Sequence, residues 1–307
     1  MCGKKSSDST QPLPTAQATM HVRLRCVKAG IPIIEEWWIH NSVNDCTTLL
    51  GEGGFGQCFL VLDNQGKQYV AKTFTRHTTD LLMEAQCLNL YRGVPGIQQL
   101  VGVCPSTLQV ISEFAGFDTI SRIIRSSAMF TNYDKLYVLK QVFTAVDRIH
   151  ALGMCHNDLK SNNVCLRWTG MDFRATVIDL GLMRPQGTPV YCGEPSLRCY
   201  WIAPELNNRG RCSKQSDVYS LGFLVLEMGV LASVQLQLWV NAALSLCPAR
   251  RPNLQEGIAI LKFLCPDSPG DFGGGPGDIG GDGRVVGGHR DPSSDDWRSR
   301  WSLGHRW

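Results

Sequence analysis

The chain has 307 residues, of which 43% are hydrophobic and 19% charged, so it can bury a substantial core and is neither disordered nor fibrous as a whole. A net charge of +3 without any basic block or stripe gives no nucleic-acid footprint, and no apolar run reaches the ~18 residues that a membrane span needs. Thirteen cysteines, an odd number with no CxxC pair, read as reduced thiols; the start MCGKKSSDSTQPLPT carries no apolar stretch of the secretory kind, so a cytosolic or nuclear setting is expected.

Residues 1–20, rich in Ser, Thr, Gln and Pro, are expected to be a disordered lead. An extension follows over 21–46, where the alternation of Val22, Leu24 and Cys26 predicts a short strand. Three β-like runs come next, Thr47 to Leu50, Gln57 to Leu62 and Gln68 to Phe74, the last two joined by a turn at Asp63-Asn64-Gln65-Gly66. Asp80 to Tyr91 has a helical face made by Leu81, Leu82, Ala85, Leu88 and Leu90, and two apolar runs, Ile97 to Val103 and Leu108 to Phe114, complete a sheet of about five strands. Beyond Asp118 the pattern turns helical, with Lys135 to Gly153 the strongest amphipathic segment and Gly153 at its C-cap. Residues 266–307 hold eleven glycines and few aliphatics, which predicts a flexible tail.

Gly51-Glu52-Gly53-Gly54-Phe55-Gly56 fits GxGxxG. A dinucleotide-binding loop would open a helix after the third glycine, whereas here a strand continues, so the loop joins two antiparallel strands and can lay its backbone N–H groups on phosphates. Lys72 follows sixteen residues after Gly56 on the next strand, and Glu84, on the helix face with Leu81 and Leu88, is its expected partner, with Asp80 the competitor. Downstream, His156-Asn157-Asp158-Leu159-Lys160-Ser161-Asn162-Asn163 and Asp179-Leu180-Gly181 bring two carboxylates forward on loops.

At this point the sequence resembles the eukaryotic protein kinase superfamily, through its glycine loop, strand lysine, catalytic loop and metal loop in order, then Ala203-Pro204-Glu205, Asp217-Val218-Tyr219-Ser220-Leu221-Gly222 and Arg251-Pro252. The resemblance covers roughly 47–264 and implies an α+β, bilobal fold, with a β-rich N-lobe (47–114), a helical C-lobe (119–264) and the tail at 265–307. It implies phosphorylation of protein hydroxyls with ATP and Mg²⁺. Asp158 would orient the attacking hydroxyl, Lys160 reach the γ-phosphate, Lys72 with Glu84 hold the α- and β-phosphates, and Asn163 and Asp179 ligate the metal. Leu50, the loop Gly51 to Gly56, Cys58, Val70 and Cys165 would enclose the nucleotide, with the Glu113 carbonyl and the Ala115 N–H on the adenine edge. Ser112 falls at the gatekeeper position, small enough to leave the back of the pocket open, and His156 is expected to pack under its loop rather than act as a base. Glu205 would pair with Arg251, and Asp217 would tie down the catalytic loop.

Four departures qualify the resemblance. Asn157 stands where an arginine usually precedes the catalytic aspartate, which resembles the non-RD group, and Leu180 replaces a phenylalanine. Asp217 and Arg251 are only thirty-four residues apart, short by about one helix, which keeps a nucleotide-binding pseudokinase scaffold as the alternative. Lys160 fits the Ser/Thr pattern, whereas Arg198 and Trp201 fit the tyrosine-kinase version; Ser/Thr specificity is the favoured expectation.

Overall fold

The computed structural model describes residues 14–35, 48–53, 56–63, 65–74, 77–126, 130–190, 199–207 and 210–266. All of them belong to the first of two compact units, Met1–Pro266. Most of the expected lead, Gly54 and Phe55 of the glycine loop, Arg198, and the glycine-rich tail beyond residue 266 lie outside the described residues.

The expected N-terminal strand is instead a helix, α1 (Ala16–Lys28), and it begins inside the expected disordered lead. Thr15 caps it by accepting the Ala18 N–H at 3.2 Å. Val22 and Cys26, four apart, are both fully buried, a spacing that fits either a strand or a helix; Leu24, which only a strand would bury with them, is 51% exposed.

The N-lobe sheet is antiparallel in the order β1-β2-β3-β5-β4. It comprises β1 (Thr48–Gly53), β2 (Gly56–Leu62), β3 (Gln68–Phe74), β4 (Leu100–Cys104) and β5 (Gln109–Glu113), with helix α2 (Thr78–Leu90) inserted after β3. The Asp63 carboxylate closes the β2–β3 turn by accepting the N–H groups of Gln65 and Lys67. The segment after α1 continues along β4: Val103 N–H donates to the Pro32 carbonyl and Ile34 N–H to the Val103 carbonyl, at 2.9 and 2.8 Å. Gly102 makes this approach possible, because a Cβ there would lie 2.7 Å from the Pro32 oxygen.

A two-residue strand, β6 (Asp118–Thr119), and the short α3 (Ile120–Ser126) lead into α4 (Asn132–Ala151), the long C-lobe helix, whose capping box joins Thr131 and Asp134. Leu152 caps α4 and Gly153 follows it with φ 72°. Then come β7 (Met154–Cys155), the hairpin β8 (Val164–Trp168) and β9 (Phe173–Val177), and β10 (Arg184–Pro185), which pairs with β7. Four helices finish the fold: α5 (Pro204–Asn207), α6 (Lys214–Glu227), α7 (Val234–Ala243) and α8 (Leu254–Leu264). The interval between Asp217 and Arg251 thus holds one further α-helix, α7, packed on α6 and α8. Among the described residues no helix is long and apolar enough to cross a membrane.

Candidate active site

Strand pairing decides which side chains share a face. Cys58, Lys72 and Val110 are register partners across β2, β3 and β5, as are Leu60, Val70 and Ser112, so all six project from one side of the sheet. The opposite side carries Val61, Tyr69, Ala71 and Ile111, which form their own apolar cluster with Cys104. The β1–β2 hairpin carries Leu50, Gly51, Glu52 and Gly53 on one arm and Gly56 on the other, Gly53 pairing with Gly56. Gly56, at φ 152°, admits no side chain, since a Cβ would meet the Thr73 carbonyl oxygen at 1.8 Å.

Lys72 Nζ lies 2.6 Å from Glu84 Oε2 on α2 and 2.8 Å from Asp179 Oδ1. Glu84, not Asp80, is therefore the lysine's partner. Burial works against the ammonium, but the two carboxylates outweigh it and hold Lys72 above its usual range, firmly charged. Burial pushes Glu84 up to about 7, with the Lys72 charge resisting, whereas for Asp179 the same charge outweighs burial and holds the carboxyl below its ordinary range. Asp179 has a left-handed backbone, φ 62° and ψ 73°, uncommon for a side-chain-bearing residue and of the kind that clusters at functional sites. The next residue, Leu180, is fully buried in the main core.

The catalytic loop hangs from a buried anchor. Asp217 accepts the N–H groups of His156 and Asn157 at 2.8 and 2.9 Å and is 2.8 Å from His150 Nε2; although burial disfavours its charge, these contacts and the nearby His156 keep its carboxyl below the ordinary range. His156 is wholly buried and its Nδ1 accepts the Asp158 N–H at 3.3 Å. Asp158 presents its carboxylate to three donors: Oδ2 accepts Lys160 Nζ at 2.8 Å and Asn163 Nδ2 at 2.9 Å, and Oδ1 accepts the Trp201 indole N–H at 2.8 Å. The Trp201 contact had no signal in the spacing, because Asp158 and Trp201 are brought together only by the fold. Asn163 Nδ2 also donates to the Asp158 carbonyl, which leaves its amide oxygen as the atom available to a ligand. That oxygen and the Asp179 carboxylate are hard donors of the kind a Mg²⁺ ion takes, so the donor set fits that ion.

Glu113, at the end of β5, has an exposed carboxylate 3.7 Å from Lys67, and its N–H donates to the Gln99 carbonyl, while the Phe114 carbonyl accepts from Arg167. These contacts fix Glu113 and Phe114. Ser112 is engaged by a side chain from the β4 side: Gln98 Nε2 donates to its Oγ at 2.8 Å, and Gln98 Oε1 accepts the Asp179 N–H at 3.4 Å. Cys165, on β8 two residues after Asn163, is buried.

The protein kinase domain family matches residues 45–236, more than half of the chain. The chain belongs to that family. Among its relatives, mouse dual specificity testis-specific protein kinase 1 is 26% identical over 200 residues, covering 60% of this chain and 31% of that one. Human mitogen-activated protein kinase kinase kinase 19 is 27% identical over 242 residues, covering 71% of this chain and 18% of its own. Putative serine/threonine-protein kinase A of Trypanosoma brucei brucei is 32% identical over 133 residues, 39% of this chain and 29% of that one. The alignments thus span about a third or less of these kinases' own length.

Within this kinase fold, Glu205 accepts two hydrogen bonds from Arg251, at 2.7 and 2.8 Å, and one from Ser216 Oγ at 3.0 Å; together they overcome burial and lower its pKa. Asn157 turns inward with φ 67°, buried to 1% exposure, and donates to the carbonyls of Cys155 and Leu182. Its amide stitches the catalytic loop to the segment after Asp179.

Proposed function

We propose that the chain is an active protein kinase that transfers the γ-phosphoryl group of ATP to Ser or Thr hydroxyls of a protein substrate with the help of Mg²⁺. The observation that carries this is the assembled polar set: Lys72 paired with both Glu84 and Asp179, and Asp158 held by Lys160 and Asn163 on a loop tied to Asp217.

Phosphoryl transfer needs positioning and charge neutralisation more than covalent help. Mg²⁺, when bound, neutralises phosphate charge; Asp179 and Asn163 would hold it. Lys72, pinned by Glu84, offers a fixed ammonium to the phosphates, and the hairpin backbone at Gly51 and Gly53, which carry no side chain and have open space where a Cβ would stand, can approach them closely. Asp158 accepts the hydroxyl proton while Lys160, 2.8 Å away, supplies positive charge beside it. The Ser/Thr preference rests on Lys160 in its place two residues after Asp158, and the inward Asn157 supports a kinase of the non-RD kind, whose activity does not wait for a phosphate on the activation segment.

A second reading, a nucleotide-binding pseudokinase scaffold, is favoured by the short stretch between α6 and Arg251, which holds only α7 as an α-helix. Incubating the purified chain with Mg²⁺, labelled ATP and generic Ser/Thr and Tyr substrates separates the two. Transfer that disappears in Asp158→Asn supports the enzyme; nucleotide binding without transfer supports the scaffold.

A further inference from the structure

Asp158 has four acceptor positions on its carboxylate. Oδ2 spends both of its own on Lys160 Nζ and Asn163 Nδ2, at 2.8 and 2.9 Å. Oδ1 gives one to the Trp201 indole at 2.8 Å. A single acceptor position on Oδ1 is left for the hydroxyl of a substrate.

Trp201 is itself firmly placed. Ser220 Oγ on α6 donates to the Trp201 carbonyl at 2.6 Å, and the side chain packs against the cluster of Cys155, Val190, Ile202, Ala203, Leu206 and Cys212. It sits four residues before Glu205, which Arg251 grips with two hydrogen bonds. The indole also touches the second polar group of the site, since Lys160 Nζ lies 5.1 Å from its ring centroid, within cation–π range.

We propose that Trp201 is a positioning residue for the phosphoryl acceptor: its N–H fixes the Asp158 carboxylate so that one direction of Oδ1 remains for the incoming hydroxyl, and its ring holds Lys160 alongside. The inference rests on the kinase reading above. An indole has one donor and no acceptor, so it relays no proton and acts only through Asp158 and Lys160. In the transfer, the hydroxyl oxygen forms its bond to the γ-phosphorus as the bond from that phosphorus to the β–γ bridging oxygen breaks. ADP keeps the bond's electron pair, and the hydroxyl proton passes to Asp158 Oδ1 and then to solvent. An unanchored carboxylate would spread over several rotamers, and near-attack geometry would be lost in proportion.

The test replaces Trp201 in the full chain in two ways. Benzothienylalanine, introduced by amber suppression, keeps the bicyclic shape and the ring over Lys160 but has sulfur in place of the N–H; Trp201→Phe removes the N–H and reduces the ring. Steady-state kinetics with Mg-ATP and an acceptor peptide, a fluorescent-nucleotide titration and a melting curve are read for each. The benzothienyl variant is expected to lose at least about tenfold in kcat, about 1.4 kcal/mol of barrier, with KM for ATP, nucleotide affinity and Tm close to wild type, and Trp201→Phe to lose as much or more. A kcat within twofold of wild type for the benzothienyl variant overturns the proposal, as does a rise in kcat, which would mean that the indole obstructs the acceptor. Loss of Tm and nucleotide affinity together with kcat would show a structural role and overturn it too. Wild-type protein without any transfer defeats the kinase reading itself, and the inference with it.

Discussion

Lys72 on β3 and Glu84 on α2, twelve residues apart, meet at 2.6 Å with the glutamate side chain only 3% exposed. A buried pair of this kind makes each partner costly to remove alone. Lys72→Met strips Glu84 and Asp179 of their shared cation and is expected to lower stability by about 3 kcal/mol, whereas Glu84→Met, which leaves Lys72 paired with Asp179 at 2.8 Å, is expected to cost less. The double variant should recover most of the stability lost in Lys72→Met in chemical denaturation. Phosphotransfer should not recover in it, since the phosphate-holding ammonium is gone.

Asp158→Asn keeps the shape of the catalytic loop while removing the proton acceptor. Transfer should fall by at least about a thousandfold, roughly 4 kcal/mol of barrier, with nucleotide affinity retained. Asp179→Asn should lose the response of nucleotide binding to Mg²⁺ as well as transfer, and a Mg²⁺ titration followed by nucleotide fluorescence distinguishes the two variants.

Much of this site could be read from residues alone, and the reason is chemical. A glycine hairpin, a strand lysine and two loop carboxylates are each demanded by a triphosphate and its metal, so their types and order survive in the sequence whatever the packing around them. Contacts with no such demand left no trace. Gln98 bridges Ser112, fourteen residues away, and Asp179, eighty-one residues away, and Trp201 reaches Asp158 across forty-three. Each contact depends on how loops return to one another. Helix α1 differs from the expected strand for another reason: buried residues at Val22 and Cys26 satisfy a period of two as well as a helical turn, and only the exposure of Leu24 separates them.

The α1 segment buttresses the helix that carries Glu84. Val22 and Cys26 are fully buried in the same core as Leu81, Leu82 and Leu88, and Asn89 Nδ2 donates to the Ala29 carbonyl at 3.3 Å. Val22→Asp should cost about 3 kcal/mol by burying an unpaired charge, reduce hydrogen-exchange protection in α2 and depress transfer. Leu24→Asp on the exposed face of α1 should change stability by less than about 0.5 kcal/mol. Equal effects from the two would show that α1 does not brace α2.

Asn157 offers no cation to an activation-segment phosphate, and its amide nitrogen is already spent on the Cys155 and Leu182 carbonyls. Phosphatase treatment is therefore expected to leave activity within about tenfold, or 1.4 kcal/mol of barrier. Thr188→Ala and Tyr200→Phe, with Tyr191→Phe and Ser196→Ala beyond the described residues, serve as site-by-site checks. A larger loss on dephosphorylation would place a phosphate receptor elsewhere in the segment.

Cys58 and Cys165 supply the pH-dependent test of the nucleotide cleft. Cys58 is the register partner of Lys72, and Cys165 is buried on β8, two residues after Asn163. Burial pushes Cys58 up to about 11, partly opposed by the Lys72 charge and reinforced by Glu84 and Asp179, and pushes Cys165 up to about 12. The thiolate is the nucleophile, so a raised pKa leaves both thiols protonated and slow near neutral pH, and alkylation should accelerate steadily as pH rises toward 11. At pH 8 only about one Cys58 in a thousand is a thiolate if the pKa is about 11. Exposed Cys247 is an internal reference for reagent access. Mass-spectrometric mapping with a small maleimide, with and without Mg-ATP and across this pH range, should show Cys58 and Cys165 slow at neutral pH and protected by the nucleotide, with Cys247 unaffected by it. Equal modification of Cys58 and Cys165 in both samples would exclude them from the nucleotide cleft, and fast labelling at pH 7 would show that their burial does not suppress the thiolate.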